Sequence, residues 1–270
     1  MSQPLVSVII PTYNRPLQLG ELLESLSRQT YRNLEILIVN DAGEPVDEVV
    51  SRYDELSVTI LNQPANLRHV HARNRALEAA TGAYILLCDD DDLLLPTHIE
   101  RMARELADCD LVYSDVEIFD YVIENGQRRV TSRFLFAYHF DLAAMRKFST
   151  YVPSGSMYRK EVHDAIGPFD PEMSHYWDWD FFLRVSAHYR VKRVAAASVL
   201  YAFSQQGGNM SANQGDSHRI HLDKLCAKHG LGELPTKNFF LLLEEPEVKA
   251  RRAPSEVLWD GQPFVSRLRS

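Results

Sequence analysis

Cysteine is scarce: Cys88, Cys109 and Cys226 are the only three in 270 residues. Three thiols so widely spread exclude a disulfide framework and a CxxC metal site, and they fit a reducing compartment. No apolar run approaches the roughly 18 residues needed to span a bilayer, and the basic start of a signal peptide is missing. Positive charge is in deficit, with 29 Lys+Arg against 37 Asp+Glu, a net charge of 29 − 37 = −8. The basic residues are mostly arginine and form no polybasic tract, which excludes nucleic acid and an anionic membrane surface as bulk partners. Internal repeats and low-complexity segments are absent as well. What is left is ordinary globular composition, 45% hydrophobic and 24% charged. A chain of this length buries a sizeable core. The expectation is an acidic cytoplasmic protein without an integral membrane segment.

The first third alternates two periodicities. Leu5–Ile10, Leu34–Val39, Ser57–Leu61 and Ala83–Cys88 are apolar runs of strand length, and Leu111–Phe119 is another. Between them Leu19, Leu22, Leu23 and Leu26 recur at helical spacing, and His71–Ala80 and Pro96–Ala107 also read as helices. Strands apolar throughout, alternating with helices, imply a parallel sheet covered on both faces. In such sheets ligands sit beyond the carboxyl ends of the strands, at a topological switch point. That rule marks Pro11–Asn14, Asn40–Gly43 and Asp89–Asp92 for inspection. From about Glu124 aromatics cluster, Pro153-Ser154-Gly155-Ser156 breaks the chain, a helix starts near Asp178, and Val191–Phe203 reads as a closing strand. After Gly230, Phe239–Leu243 is apolar and helix-compatible, in a packed appendage followed by a loose end.

Asp89-Asp90-Asp91-Asp92 directly follows the buried run Tyr84–Cys88. Four adjacent carboxylates repel one another, and a cation is the natural resolution. If the backbone stays extended, Asp89 and Asp91 point to one side and Asp90 and Asp92 to the other. Alternate carboxylates then suit a hard divalent cation, Mg²⁺ or Mn²⁺, with positions open for phosphate oxygens. A solvated acidic loop capping the next helix is the alternative.

Val6-Ser7-Val8-Ile9-Ile10-Pro11-Thr12-Tyr13-Asn14-Arg15, Glu35–Asp41, Ala72-Arg73-Asn74-Arg75-Ala76, Gly82–Pro96 and Trp177–Arg184 together resemble the family 2 glycosyltransferases. The resemblance covers roughly residues 5–205. It implies a GT-A fold: a Rossmann-like, mostly parallel α/β sheet flanked by helices, with an acceptor-side subregion and a C-terminal helical tail. Its division would be 1–230 for the transferase domain, with a nucleotide-sugar half (1–120) and an acceptor half (121–230), and 231–270 for the appendage. The implied activity is metal-dependent, inverting transfer of a sugar from a nucleotide-diphosphate donor, a UDP-sugar by resemblance, to a glycan or other hydroxyl acceptor. By the same resemblance Pro11, Thr12 and Tyr13 line the base and ribose pocket, Asp41 hydrogen-bonds the base, and Arg73 approaches the nucleotide. Asp89 and Asp90 face the ribose and diphosphate, Asp91 holds the Mn²⁺ or Mg²⁺ ion with Asp89 beside it, and Asp178 is the general base.

Those roles agree with the residues' own chemistry. A divalent ion stabilises the charge that develops on a departing nucleoside diphosphate, and a base must take the acceptor's proton. Asp178 lies between Trp177 and Trp179, whose indoles can shield a carboxylate and stack on a sugar; Asp180 is the second candidate. Three departures from the family pattern stand out. Trp177 replaces a common Glu, Tyr201-Ala202-Phe203-Ser204 replaces a Tyr-Arg-x-His segment, and Leu67-Arg68-His69 replaces glycines. His69 with His71 and His218 with His221 are pairs without further zinc ligands in view, and His175 and Tyr176 are candidates for acceptor contact. Two rivals remain at this stage. One is a nucleotidyltransferase, although Pro11–Pro16 lacks the glycine-rich loop that class uses; the other is a non-catalytic nucleotide-sugar or glycan binder. A lipid-linked acceptor would require peripheral attachment to a membrane, for which Phe239–Leu243 is the candidate patch.

Overall fold

The computed structural model describes residues 3–124, 127–203, 216–236 and 239–269. The first half alternates as expected: β1 (Val6–Thr12), α1 (Pro16–Ser27), β2 (Leu34–Asn40), α2 (Asp47–Val50), β3 (Val58–Asn62), α3 (Arg68–Ala79) and β4 (Tyr84–Leu87). Strand β1 is buried along its whole length, which is why its Val/Ile run shows no polar alternation. Helix α1 opens on Pro16, whose missing N–H is harmless in a first turn. It sinks Leu19, Leu22, Leu23 and Leu26 completely into the core. At roughly 1.5–3 kcal/mol per fully buried leucine, that face alone anchors it. Strand β1 pairs in parallel with β2 on one side and β4 on the other, and β2 pairs with β3. The chain therefore leaves β1 in both directions along the sheet, and a crevice opens at the carboxyl ends of β1 and β4.

The second half comprises β5 (Leu93–Leu94), α4 (His98–Glu105), β6 (Leu111–Glu124), β7 (Gln127–Phe136), α5 (Leu142–Met145), β8 (Met157–Arg159), α6 (Val162–Ile166), α7 (Trp177–Ser186) and β9 (Val191–Ala202). After it come α8 (Asp216–His229), α9 (Phe239–Leu243), α10 (Pro246–Lys249) and β10 (Glu256–Val257). The sheet order is β10-β9-β6-β8-β4-β1-β2-β3. Here the structure departs from a uniformly parallel sheet: β8 runs antiparallel to both β4 and β6, and β7 antiparallel to β6. Strands β6 and β7 are too close in sequence for the long crossover that a parallel pair requires. A bend at Pro153–Ser156 feeds β8, and Gly155 there adopts φ +79. A Cβ on Gly155 would lie 2.3 Å from Val199 Cγ2, so only glycine fits.

The end of the chain is packed rather than loose. Glu256–Val257 pair with Ala196–Ala197 of β9, Trp259 is buried against Phe119, and Arg267 bridges Glu24 at 3.1 Å and Glu55 at 2.5 Å. Helix α9 also turns inward: Phe239 stacks on Phe136 and Phe203, and Leu243 is buried. Of that segment Leu241 is 65% exposed while Phe239, Phe240 and Leu242 are half-buried, so much of its apolar surface is turned into the fold rather than outward. The aromatics after Glu124 supply the apolar wall that draws it in. Among the described residues no helix is long and apolar enough to cross a membrane.

Candidate active site

The three polar strand ends marked in the sequence meet in one place. A cleft of about 720 Å³ is lined by Pro11, Thr12, Tyr13 and Arg15 from the end of β1, by Asp41 after β2, by Arg73 of α3 and by Asp89, Asp90 and Asp91 after β4. That size lies within the usual range for small-molecule sites. The cleft's rim is where the backbone is strained. Among the described residues Asn14 (φ 54), Ala42 (φ 61) and Arg68 (φ 70) are the non-glycine residues in the left-handed region, each of order 1–2 kcal/mol above ordinary backbone. At Arg68 the strain has a visible purpose. The backbone N–H groups of Leu67 and Arg68 both donate to the Asp41 carboxylate, at 2.8 and 2.7 Å, and Gln63 Nε2 adds a third bond at 2.9 Å. Asp41 is thus fixed before any ligand arrives, with one of its roughly four lone-pair sites left by count.

The acidic run does not continue as extended strand. It turns, with Asp92 N–H donating to Asp89 O at 3.2 Å, so the expected sorting onto alternate sides is replaced by another. Asp89 pairs with Arg73. Asp90 accepts from Thr12 Oγ1 at 2.7 Å and from Arg15 Nη1 at 3.2 Å, and Asp91 accepts from the same Nη1 at 2.7 Å. Asp92 faces away from the cleft and accepts from Ala202 N–H at 3.0 Å. Arg128 Nη1 holds the loop from behind through Asp91 O at 2.7 Å, while its Nε meets Glu21 at 2.5 Å. Ser154 Oγ accepts from Asp89 N–H at 3.1 Å. Burial, with neighbouring carboxylates adding to it, pushes the Asp90, Asp91 and Asp92 carboxyls upward. The loop therefore remains short of positive charge even with its arginines. Hard oxygen donors suit Mg²⁺ or Mn²⁺, while among the described residues no three His, Cys, Asp or Glu side chains converge to hold an ion alone. The donor set fits an ion whose shell is completed by substrate oxygens and water.

At the other end of the cleft stands Asp178, in the first turn of α7. Burial raises its carboxyl to about 6, against the pull of the helix-start amides and of Arg73. Its companion Asp180 is excluded as a base. It is fully buried, does not line the cleft, and is clamped by Arg184 (2.9 Å), Lys228 (2.7 Å) and His229 (2.8 Å). Burial works upward on Asp180, but His229, Lys228 and Arg184 outweigh it and bring it to about 2. Two residues along one helix thus separate a carboxyl raised to about 6 in the cleft from one lowered to about 2 that ties α7 to α8.

Trp177, where the family pattern has a Glu, lies under Arg73, with the guanidinium carbon 3.9 Å from the ring centroid. His69 lines the cleft beside Trp177 and is driven to about 3 by burial and then by Arg73, whereas His71 is exposed on the far side of α3. The pair is split. His218 and His221 instead gather around His175, with ring centroids 4.2 and 4.7 Å away. The sequence offers His175 as a candidate for acceptor contact but not as part of a histidine cluster, because the contact joins residues over forty positions apart. Tyr201, Ala202 and Phe203 line the cleft, and Ser204 lies outside the described residues. The sequence reading missed Arg15 and Arg128 as partners of the acidic loop; the signal available was the charge deficit itself.

Residues 7–167 match the family described as Glycosyl transferase family 2. The uncharacterized glycosyltransferase YwdF of Bacillus subtilis (strain 168) is 56% identical over 263 residues, covering 97% of this chain and 98% of that protein. The uncharacterized glycosyltransferase MJ1057 of Methanocaldococcus jannaschii is 34% identical over 134 residues, 47% of this chain and 45% of its own length. Among solved structures, S. aureus TarS 1-349 in complex with UDP-GlcNAc superposes with a TM-score of 0.65 at 21% identity, over 83% of this chain and 66% of that one. The mannosyltransferase PcManGT from Pyrobaculum calidifontis, in complex with GDP-Man and Mn²⁺, gives 0.61 at 20% identity, over 87% and 67%. At such identities these two likenesses carry the fold, which is of the GT-A type.

Proposed function

The chain belongs to glycosyl transferase family 2 and is a glycosyltransferase, and from that premise we propose inverting transfer of a sugar from a nucleotide-diphosphate donor to an acceptor hydroxyl, with a divalent cation. One observation carries the reading. A single cleft joins residues suited to a nucleotide and its diphosphate to a half-buried carboxyl, Asp178, raised to about 6. Tyr13, 47% exposed at the rim, offers its ring to a base, and Asp41 keeps one acceptor site for a base N–H. Arg73 and the Asp89–Asp91 loop face the diphosphate, with Asp91, and Asp89 beside it, as the carboxylates for Mn²⁺ or Mg²⁺. The bound ion would act as a Lewis acid on the diphosphate oxygens. The neighbours' ligands, UDP-GlcNAc and GDP-Man, share that diphosphate, and this supports the donor class, a UDP-sugar being the expectation from resemblance.

Around Asp178 the cleft is walled by His175, Tyr176, Trp179 and His218, a mixture of ring faces and polar tips that suits a glycan or other hydroxyl acceptor. The acceptor oxygen attacks the anomeric carbon from the face opposite the diphosphate. The bond from that carbon to the phosphate oxygen breaks, the nucleoside diphosphate leaves with the electron pair, and the acceptor's proton passes to Asp178. A thermal-shift panel of UDP- and GDP-sugars, each with Mn²⁺ and with EDTA, tests the reading. The expected result is one donor that raises the melting temperature only with Mn²⁺; a panel in which no nucleotide sugar shifts it refutes the proposal.

A further inference from the structure

Arg15 and Arg73 both neutralise the acidic loop, yet they are held very differently. Arg73 is buried, stacked on Trp177, and donates to His69 O at 3.3 Å. The Arg15 side chain is 34% exposed and comes from the short connection between β1 and α1. Its Nη1 occupies Oδ2 of Asp91 at 2.7 Å and reaches Oδ1 of Asp90 at 3.2 Å. A divalent ion on that Asp91 oxygen would sit at about 2.0–2.2 Å, inside the space the guanidinium holds. At about 4 Å and a protein-surface dielectric a guanidinium and a cation repel each other strongly, and a divalent ion doubles the repulsion. Ion and guanidinium therefore exclude each other at Asp91.

Resting on the reading above, we propose that Arg15 is the resident counter-ion of the acidic loop and the gate on its cation. A divalent ion reaches Asp91 only by displacing Arg15, and the anionic diphosphate of a donor in the same cleft gives the guanidinium another partner. Cation and nucleotide then bind cooperatively, each raising the other's affinity by the same factor. The protein without donor holds cation weakly.

Electron paramagnetic resonance titration of Mn²⁺ into the full-length protein tests this, for wild type and Arg15→Gln, alone and with UDP or GDP, after correction for Mn²⁺ on free nucleotide. The expected result is at least about tenfold tighter Mn²⁺ binding by Arg15→Gln alone. Wild type should gain at least about tenfold on adding one of the nucleotides, and the variant distinctly less. Equal or weaker Mn²⁺ binding by Arg15→Gln, or an equal gain from nucleotide in both proteins, overturns the inference. Melting temperatures control for folding: Arg15→Gln should melt lower than wild type in EDTA and recover with Mn²⁺, and failure to recover counts against it. The two proposals fail separately. Nucleotide-sugar turnover without Arg15-dependent Mn²⁺ affinity overturns only the gate; Mn²⁺ competition without turnover of any UDP- or GDP-sugar upholds the gate and removes the proposed donor class.

Discussion

Asp178→Asn replaces the proposed base by an amide of the same shape that cannot accept the acceptor's proton. With its carboxyl at about 6, Asp178 is about nine-tenths ionised at pH 7 and about one-tenth at pH 5, so turnover should fall close to tenfold per pH unit below 6. Removing a positioned base loses about 10²–10⁴ in kcat, while the donor residues, on β1, α3 and the loop after β4, are untouched. Stability moves the other way. A carboxyl raised from 3.8 to about 6 in the fold contributes stability fully present below pH 3.8 and lost as pH rises through 6. The ionised form is thus disfavoured at pH 7 by on the order of 3 kcal/mol. Asp178→Asn should melt no lower than wild type at neutral pH and bind nucleoside diphosphate with unchanged affinity. The assay is nucleoside diphosphate release from the donor, with acceptor, from pH 5 to 8. A variant that keeps more than about a tenth of wild-type kcat, or a wild type without an acid limb between pH 5 and 7, would falsify the assignment.

Asp180→Ala should lose about 3–5 kcal/mol in urea denaturation, because it leaves Arg184, Lys228 and His229 facing a void where a fully buried carboxylate stood. With Asp180 depressed to about 2, its stabilisation is present above pH 3.8 and should disappear as pH falls from 4 towards 2, visible as a drop in melting temperature absent from Asp180→Asn. Asp92→Asn should stay within about 1 kcal/mol of wild type, since burial pushes the Asp92 carboxyl well up, disfavouring its charge, and an amide oxygen can accept from Ala202 N–H. Asp92→Ala, which orphans that buried N–H, should lose about 1–3 kcal/mol in the same denaturation. Gly155→Ala should lose about 2–4 kcal/mol, combining left-handed backbone with overpacking against Val199 and His98, and unchanged stability would contradict the packing described.

The first half of the chain was legible because local pattern and burial agree there. Runs such as Val6–Ile10 and Ile36–Val39 are buried on both faces, so composition alone marks them, and the polar residues ending them fall together at the carboxyl ends of the strands as the switch-point rule requires. The second half resisted for physical reasons. Strand β7 carries Arg128, Arg129 and Arg133 on a largely exposed hairpin and is apolar only at its end, Phe134–Phe136, and β8 has three residues, too few for any period. The acidic loop shows the limit most clearly. Its charge announced a cation, and the sequence pointed to a metal; the fold also supplies Arg15 and Arg128, from positions 76 and 37 residues away, which no local spacing could reveal. Asp178 and Asp180 were likewise indistinguishable by spacing. Three partners, two of them on α8, separate the tie from the base.

Incubation of the purified full chain with individual UDP- and GDP-sugars, with Mn²⁺ and a panel of hydroxyl acceptors, followed by quantification of released nucleoside diphosphate, probes the proposed transfer most directly. One donor should be consumed in the presence of Mn²⁺ and spared in EDTA, with loss of that turnover in Asp178→Asn. Consumption of no nucleotide sugar, or equal consumption by wild type and Asp178→Asn, would contradict it.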